Sequence, residues 1–107
     1  MSMPLLCLST GPDADTAERI ARVLVEERLA ACVNRVPGIR STYRWQGEVH
    51  EDTEVLLLIK TTHERFDTLR TRLIELHPYE VPELIALDIA TGLPVYLDWL
   101  VKETAQP

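Results

Sequence analysis

Periodicity alone predicts an α+β fold for this chain, with two βαβ halves interleaved around one four-stranded sheet. Three observations carry that prediction. Val55-Leu56-Leu57-Leu58-Ile59 is an unbroken apolar run of strand length, bounded by Glu54 and Lys60. A strand with one wet face alternates apolar and polar residues; this run does not, so both of its faces are predicted to be buried. Two segments carry helical stripes, Ala17, Ile20, Ala21 and Leu24 in one, Phe66, Leu69, Leu73 and Leu76 in the other. The remaining strand candidates carry proline within them or at their start (Pro37 and Pro82), which suits sheet edges and bulges, where a missing ladder donor is tolerated.

Each element has its own local reasons. Leu5 to Leu8 reads as the first strand, and Ser9-Thr10-Gly11-Pro12 as the loop after it. Asp13 is a good N-cap for the first helix, and Asp15 places negative charge in its first turn. That helix should fade near Arg28 to Ala31, where no glycine closes it. Val33 to Trp45 reads as a strand broken at Pro37-Gly38; beyond the break Ile39, Ser41, Tyr43 and Trp45 share one face. Gln46-Gly47 turns the chain into the strand that contains Val55 to Ile59, making a hairpin. Thr62 is placed to cap the second helix, which His77-Pro78 ends, because proline pushes the preceding residue out of helical geometry. Leu84 to Ala90 alternates as an edge strand. Pro94 begins a closing helix with Tyr96, Trp99 and Leu100 on one side, and Thr104 to Pro107 is expected to fray.

The order is therefore strand, helix, strand, strand, helix, strand, then the closing helix. Both crossovers join parallel strands and should be right-handed. Two such interleaved halves make a ferredoxin-like βαββαβ sandwich with sheet order 4-1-3-2, the two continuous apolar strands at its centre. With 107 residues the chain is one domain, 1–107, and its 46% hydrophobic content suits a folded core.

Charge and sequence signals narrow the function classes. Eleven basic against seventeen acidic residues give a formal charge of −6, which disfavours nucleic acid as a partner, since that affinity comes largely from Lys and Arg. The segment Met1 to Leu8 lacks the basic start and long apolar core of a signal peptide, and no apolar run nears the roughly 18 residues of a membrane span. The expectation is a cytoplasmic protein with no membrane partner, Cys7 and Cys32 being buried, reduced thiols within apolar stretches. No Gly-rich phosphate loop, nucleophile elbow or paired-His helix appears, so the chain is not read as an enzyme.

The doubly apolar strand also predicts an assembly. Both long helices cover one sheet face, so the other face carries either Leu56 and Leu58 or Val55, Leu57 and Ile59 into water. Such side chains left exposed cost roughly 1.5–3 kcal/mol each relative to burial, and a contiguous patch marks an interface. Hairpin arms of about 13 residues span roughly 43 Å, against roughly 20 Å for a helix of that length. Tyr43, Trp45 and Val49 therefore overhang the subunit's own cover, and a cyclic homo-oligomer is expected with Tyr43, Trp45, Leu56 and Leu58 at its interface.

Candidate site residues are few. His50, His63 and His77 lack metal-ligand spacing, and His50 and His63 read as solvated. His77 lies beside Pro78 with Glu80 and Glu83 nearby; it either closes the helix end or contributes to a loose zinc or copper site. Lys60, emerging from the buried strand, either pairs with a carboxylate such as Glu83 or receives a small anion. Trp45 and Tyr43 read first as packing residues and second as a stacking surface for a ligand.

Several spaced motifs, in order along nearly the whole chain, resemble the CutA family of divalent-cation tolerance proteins. They are Leu29-Ala30-Ala31-Cys32-Val33-Asn34, the Pro37-Gly38 break, Tyr43-Arg44-Trp45-Gln46-Gly47, Leu58-Ile59-Lys60-Thr61-Thr62, His77-Pro78-Tyr79-Glu80-Val81-Pro82-Glu83 and Tyr96-Leu97-Asp98-Trp99-Leu100. The resemblance implies a ferredoxin-like subunit in a tight homotrimer, related in fold and assembly to P-II signalling proteins, with copper tolerance as the associated phenotype and no agreed catalytic activity. The copper ligands proposed for a bacterial member are a Cys ending the first strand and two adjacent His before Pro-Tyr. Here Ser9 and Leu76-His77 stand at those places, so His77 alone is kept; Cys7, on the same strand face as Ser9, is the candidate substitute. The implied metal set is thus His77, Glu83 and Cys7, for a divalent cation such as copper or zinc. A P-II-like alternative places a small anionic ligand in the clefts between subunits, at Lys60, Tyr79 and Trp45, and a non-catalytic trimeric scaffold is the third reading.

Overall fold

A computed structural model of the protein describes residues 3–106. Strand β1 spans Pro4–Gly11, helix α1 Ala14–Glu26, β2 Cys32–Trp45, β3 Glu48–Thr62, helix α2 His63–Leu76, β4 Ile85–Asp88 and helix α3 Pro94–Glu103. The sheet order is β2-β3-β1-β4, with every neighbouring pair antiparallel. This is the ferredoxin-like α+β sandwich that the segment order predicts, with the two apolar strands at its centre.

The core follows from strand alternation. Val55, Leu57 and Ile59 of β3 and Leu5 and Cys7 of β1 are buried in one cluster with Ala17, Ile20 and Leu24 of α1 and Leu69 and Leu73 of α2. The opposite face carries Leu56 and Leu58, paired across the ladder with Thr10 and Leu8, and both leucines are half-buried. The open face is therefore the Leu56 and Leu58 face. It is not wholly bare, because α3 lies against β1 and β3 and its Leu100 is fully buried outside the main cluster. Ile85 and Leu87 of β4, on the same face, stay exposed.

Local chemistry explains most boundaries. Asp13 caps α1 by accepting the Thr16 N–H at 2.8 Å. Arg28, at φ 61°, turns the chain out of α1 in the left-handed region usually taken by glycine; its guanidinium approaches Glu103 at 3.8 Å. The ladder slips between Val36 and Ile39, where Gly38 adopts φ 77°, so Pro37-Gly38 is a bulge. Gln46 and Gly47 both have positive φ, as a two-residue hairpin turn requires.

Three expectations are corrected. Ser9, Thr10 and Gly11 continue β1 rather than forming a loop, because the long β3 offers them ladder partners at Leu57, Leu56 and Val55. Thr62 occupies the N-cap position of α2 without a side-chain cap bond, and the His63 N–H donates to the Met3 carbonyl at 2.9 Å. Thr104 does not fray, since it is buried and its hydroxyl donates to the Leu100 carbonyl at 3.0 Å.

Beyond the helices the hairpin of β2 and β3 runs on, and the described residues extend 44 × 26 × 22 Å. Tyr43, Trp45 and Val49 on that overhang are all exposed.

Burial pushes the Cys7 thiol up to about 11. The folded state thus keeps a proton that the unfolded chain releases, so this contribution is complete below the unfolded value near 9.0 and is lost as pH rises towards about 11. Urea unfolding from pH 9 to 11 is expected to show a loss of about 2–3 kcal/mol in the wild type that Cys7→Ala lacks. Parallel profiles for the two proteins would contradict it.

Candidate functional site

Where the loop after α2 crosses the open sheet face, it borders a cavity of about 670 Å³. β2 contributes Tyr43 and Trp45 to the wall, β3 contributes Glu54, and the loop contributes Tyr79, Glu80 and Glu83. The register explains the gathering. Ile39 stands opposite Glu54, Ser41 opposite Asp52 and Tyr43 opposite His50, so these side chains share one sheet face. Arg40 and Arg44, one residue out of step, project from the other face.

Two hydrogen-bond sets hold the loop. His77 is buried, and its Nε2 lies 2.7 Å from the Thr10 carbonyl while its Nδ1 lies 3.1 Å from the Tyr79 backbone nitrogen. A carbonyl can only accept and an amide N–H can only donate, so Nε2 carries the proton and the Nδ1 lone pair is engaged. The Ser9 hydroxyl donates to the Glu83 carbonyl at 2.7 Å and ties the far end of the loop to β1. Tyr79 then reaches into the cavity, and its hydroxyl donates to Glu54 Oε2 at 2.7 Å. Burial, and next the Glu54 hydrogen bond, push the Tyr79 phenol well above its ordinary range. Tyr43 donates to Asp52 in the same way, and that bond raises its phenol too.

The expected site residues separate into groups. Trp45 and Tyr79 do line one cavity. Lys60 does not join them: it lies six residues beyond Glu54 on the same strand, roughly 20 Å away at strand rise. Its ammonium contacts Asn34 Oδ1 and approaches Cys32 Sγ at 3.9 Å. Among the described residues no basic side chain lines this cavity. The set His77, Glu83 and Cys7 is not gathered into a metal site. Cys7 is fully buried among core side chains on the helix side, and both His77 ring nitrogens are engaged within the fold. Among the described residues no group of three or more His, Cys, Asp or Glu is placed to hold a metal ion.

His63 lies 2.6 Å from Asp88 on the surface, and His50 stacks on Tyr43 with ring centroids 5.6 Å apart. Sequence reasoning missed Glu54 as a site residue. It bounds the apolar run in the sequence, and in the structure it is only 7% exposed. Its signal was its strand parity with Leu56 and Leu58, which puts it on the face that Tyr79 covers.

Comparison with known proteins gives a consistent answer. The family model for the CutA1 divalent ion tolerance protein matches residues 5–103. The divalent-cation tolerance protein CutA of Thermus thermophilus is 58% identical over 102 residues, covering 95% of this chain and 99% of that relative. Protein CutA of Mus musculus is 47% identical, and this chain spans only 54% of its length. The crystal structure of CutA from Xylella fastidiosa superposes with a TM-score of 0.94 at 51% identity, covering 97% of this chain and all of that one.

His77→Ala removes both the donor to Thr10 and the acceptor for the Tyr79 N–H. It is expected to cost about 2–3 kcal/mol in urea unfolding, since two buried backbone groups lose their partners. A loss under about 0.5 kcal/mol would show that the ring does not hold the loop.

Proposed function

Because the chain belongs to the CutA1 divalent ion tolerance family, we propose that it acts as a non-catalytic cytoplasmic homotrimer that confers tolerance to divalent cations such as copper or zinc. Contact with the ion is weak and exchangeable in this reading, and the ion is cargo rather than a resident cofactor.

The observation that carries the assembly is the half-covered sheet face. Leu56 and Leu58 are only half-buried, Ile85 and Leu87 beside them are exposed, and the overhanging hairpin adds Tyr43 and Trp45. Apolar area of this extent gains free energy when sister chains cover it, and a closed cyclic assembly uses one such patch on every copy. The free thiols Cys7 and Cys32 suit a reducing compartment. No described helix is long and apolar enough to cross a membrane.

Weak ion contact follows from the state of His77. To ligate copper through Nδ1 the ring must give up the Tyr79 N–H, and to use Nε2 it must lose its proton and the Thr10 bond. Either route subtracts a buried hydrogen bond from the binding free energy, which suits exchange rather than storage. Glu83, at the end of the same loop, is the carboxylate that would accompany it.

Sedimentation equilibrium at micromolar concentration is expected to return three chain masses for the wild type. Leu58→Arg is expected to lower that mass, because it places a charge within the proposed contact; a single-chain mass for the wild type would sink the assembly. Calorimetric titration with copper is expected to give weak binding that His77→Ala reduces severalfold. Superimposable titrations would end the role of His77.

A further inference from the structure

Arg65 is a buried charge without a counter-charge. It is the third residue of α2 and lies on that helix's buried face with Leu69, Leu73 and Leu76, only 8% exposed. Its Nε has no hydrogen-bond partner, and among the described residues no carboxylate pairs with it. The more exposed guanidinium groups are treated differently: Arg22, Arg28, Arg70 and Arg72 each face a carboxylate. With seventeen acidic residues against eleven basic, the chain has carboxylates to spare and sets none here. A guanidinium cannot shed its proton to escape the cost of desolvation, so a buried one is ordinarily paired.

The same turn of helix carries a second positive feature. In α1 the N-cap side chain of Asp13 accepts the N–H of Thr16, the third helical residue. In α2 the Thr62 side chain makes no such bond, so the third N–H, that of Arg65 itself, lacks the oxygen that a cap supplies. Glu64, the acidic residue of this turn, has a partner of its own. The positive end of the helix dipole adds to the charge of the guanidinium. Side chains on a helix lean towards its N-terminus, which brings the Arg65 fork alongside the uncapped turn. A single oxyanion answers both. A carboxylate fills the fork with its two oxygens, whereas phosphate fills the fork and keeps further oxygens for the backbone N–H. With 8% of the residue open there is little room for the body of a larger ester, which selects the free ion.

We propose that the first turn of α2 is a binding site for inorganic phosphate, held by the Arg65 guanidinium and the helix N-terminus. The site lies on the helix layer, behind the sheet from Leu56 and Leu58 and roughly 18 Å along α2 from His77. It therefore rests on neither the assembly nor the ion contact of the tolerance reading.

Equilibrium dialysis of the wild type against labelled inorganic phosphate at fixed ionic strength tests it, beside Arg65→Met and Arg65→Lys. One phosphate per chain is expected to bind saturably. Affinity is expected to fall tenfold or more in Arg65→Met, and two- to fivefold in Arg65→Lys, which keeps the charge and loses the fork. In an amide NMR titration, phosphate is expected to shift the resonances of residues 62–66. Without phosphate, Arg65→Met is expected to melt at or above the wild-type temperature, since it removes an unpaired buried charge and keeps the stem. Added phosphate is then expected to raise the melting temperature of the wild type and not that of Arg65→Met. Absence of saturable binding by the wild type would overturn the proposal, as would equal affinity in Arg65→Met or shifts confined to residues outside the first turn of α2. A lower melting temperature for Arg65→Met in phosphate-free buffer would overturn it too, because the fold itself would then be using the charge. None of these outcomes bears on the sedimentation mass or on the copper titration of His77→Ala, so the two readings fail separately.

Discussion

A central strand that is apolar on both faces must be covered on both faces, and the rest of this fold is arranged to meet that demand. Val55, Leu57 and Ile59 are met by α1 and α2, which complete a core of Ile20, Leu24, Leu69 and Leu73. Leu56 and Leu58 are met only in part, by α3 with Leu100 as its buried anchor. Two long helices on one side and one short helix on the other leave a deficit of cover. That deficit is the physical ground for expecting sister chains, and it lies in one subunit's own residues.

The same alternation that divides the leucines also locates the site. Glu54, Leu56, Leu58 and Lys60 share a face because they are spaced by two. The change from apolar to acidic along that face marks where the helical cover stops and the hairpin begins. The loop after α2 crosses at that boundary, held by His77 on Thr10 and by Ser9 on Glu83. Its Tyr79 roofs Glu54, a carboxylate in the middle of β3, and buries it. Position on the strand supplies the charge, and the loop supplies its burial.

Much of this was legible before any coordinates. Strand order, the Pro37-Gly38 bulge and the Asp13 cap follow from patterns local to a few residues, where short-range sterics and hydrogen bonding decide. Cys7 in the core followed from its apolar neighbours. What escaped was set by partners distant in sequence. Ser9 and Thr10 look like loop residues until β3 offers them a ladder. Glu54 and Tyr79 are 25 positions apart, and nothing in either local pattern announces the other. Lys60 and Tyr79 stand apart within one chain for a related reason: nearness to one end of a strand says nothing of the loop that folds over its middle.

Assembly and the Glu54 carboxylate are linked through this geometry. Glu54 is two residues from Leu56, so any cover laid over the leucines also removes water from around the carboxylate. Charge pairing strengthens as the surroundings lose dielectric, while an uncompensated carboxylate there becomes more costly. Burying the leucine face therefore strengthens the Tyr79–Glu54 hydrogen bond at its edge. A loop tethered by His77 at one end and Ser9 at the other keeps the Tyr79 roof over Glu54. The apolar face and the acidic cavity are thus consecutive stretches of one strand surface, and the free energy of covering the first depends on the charge state of the second.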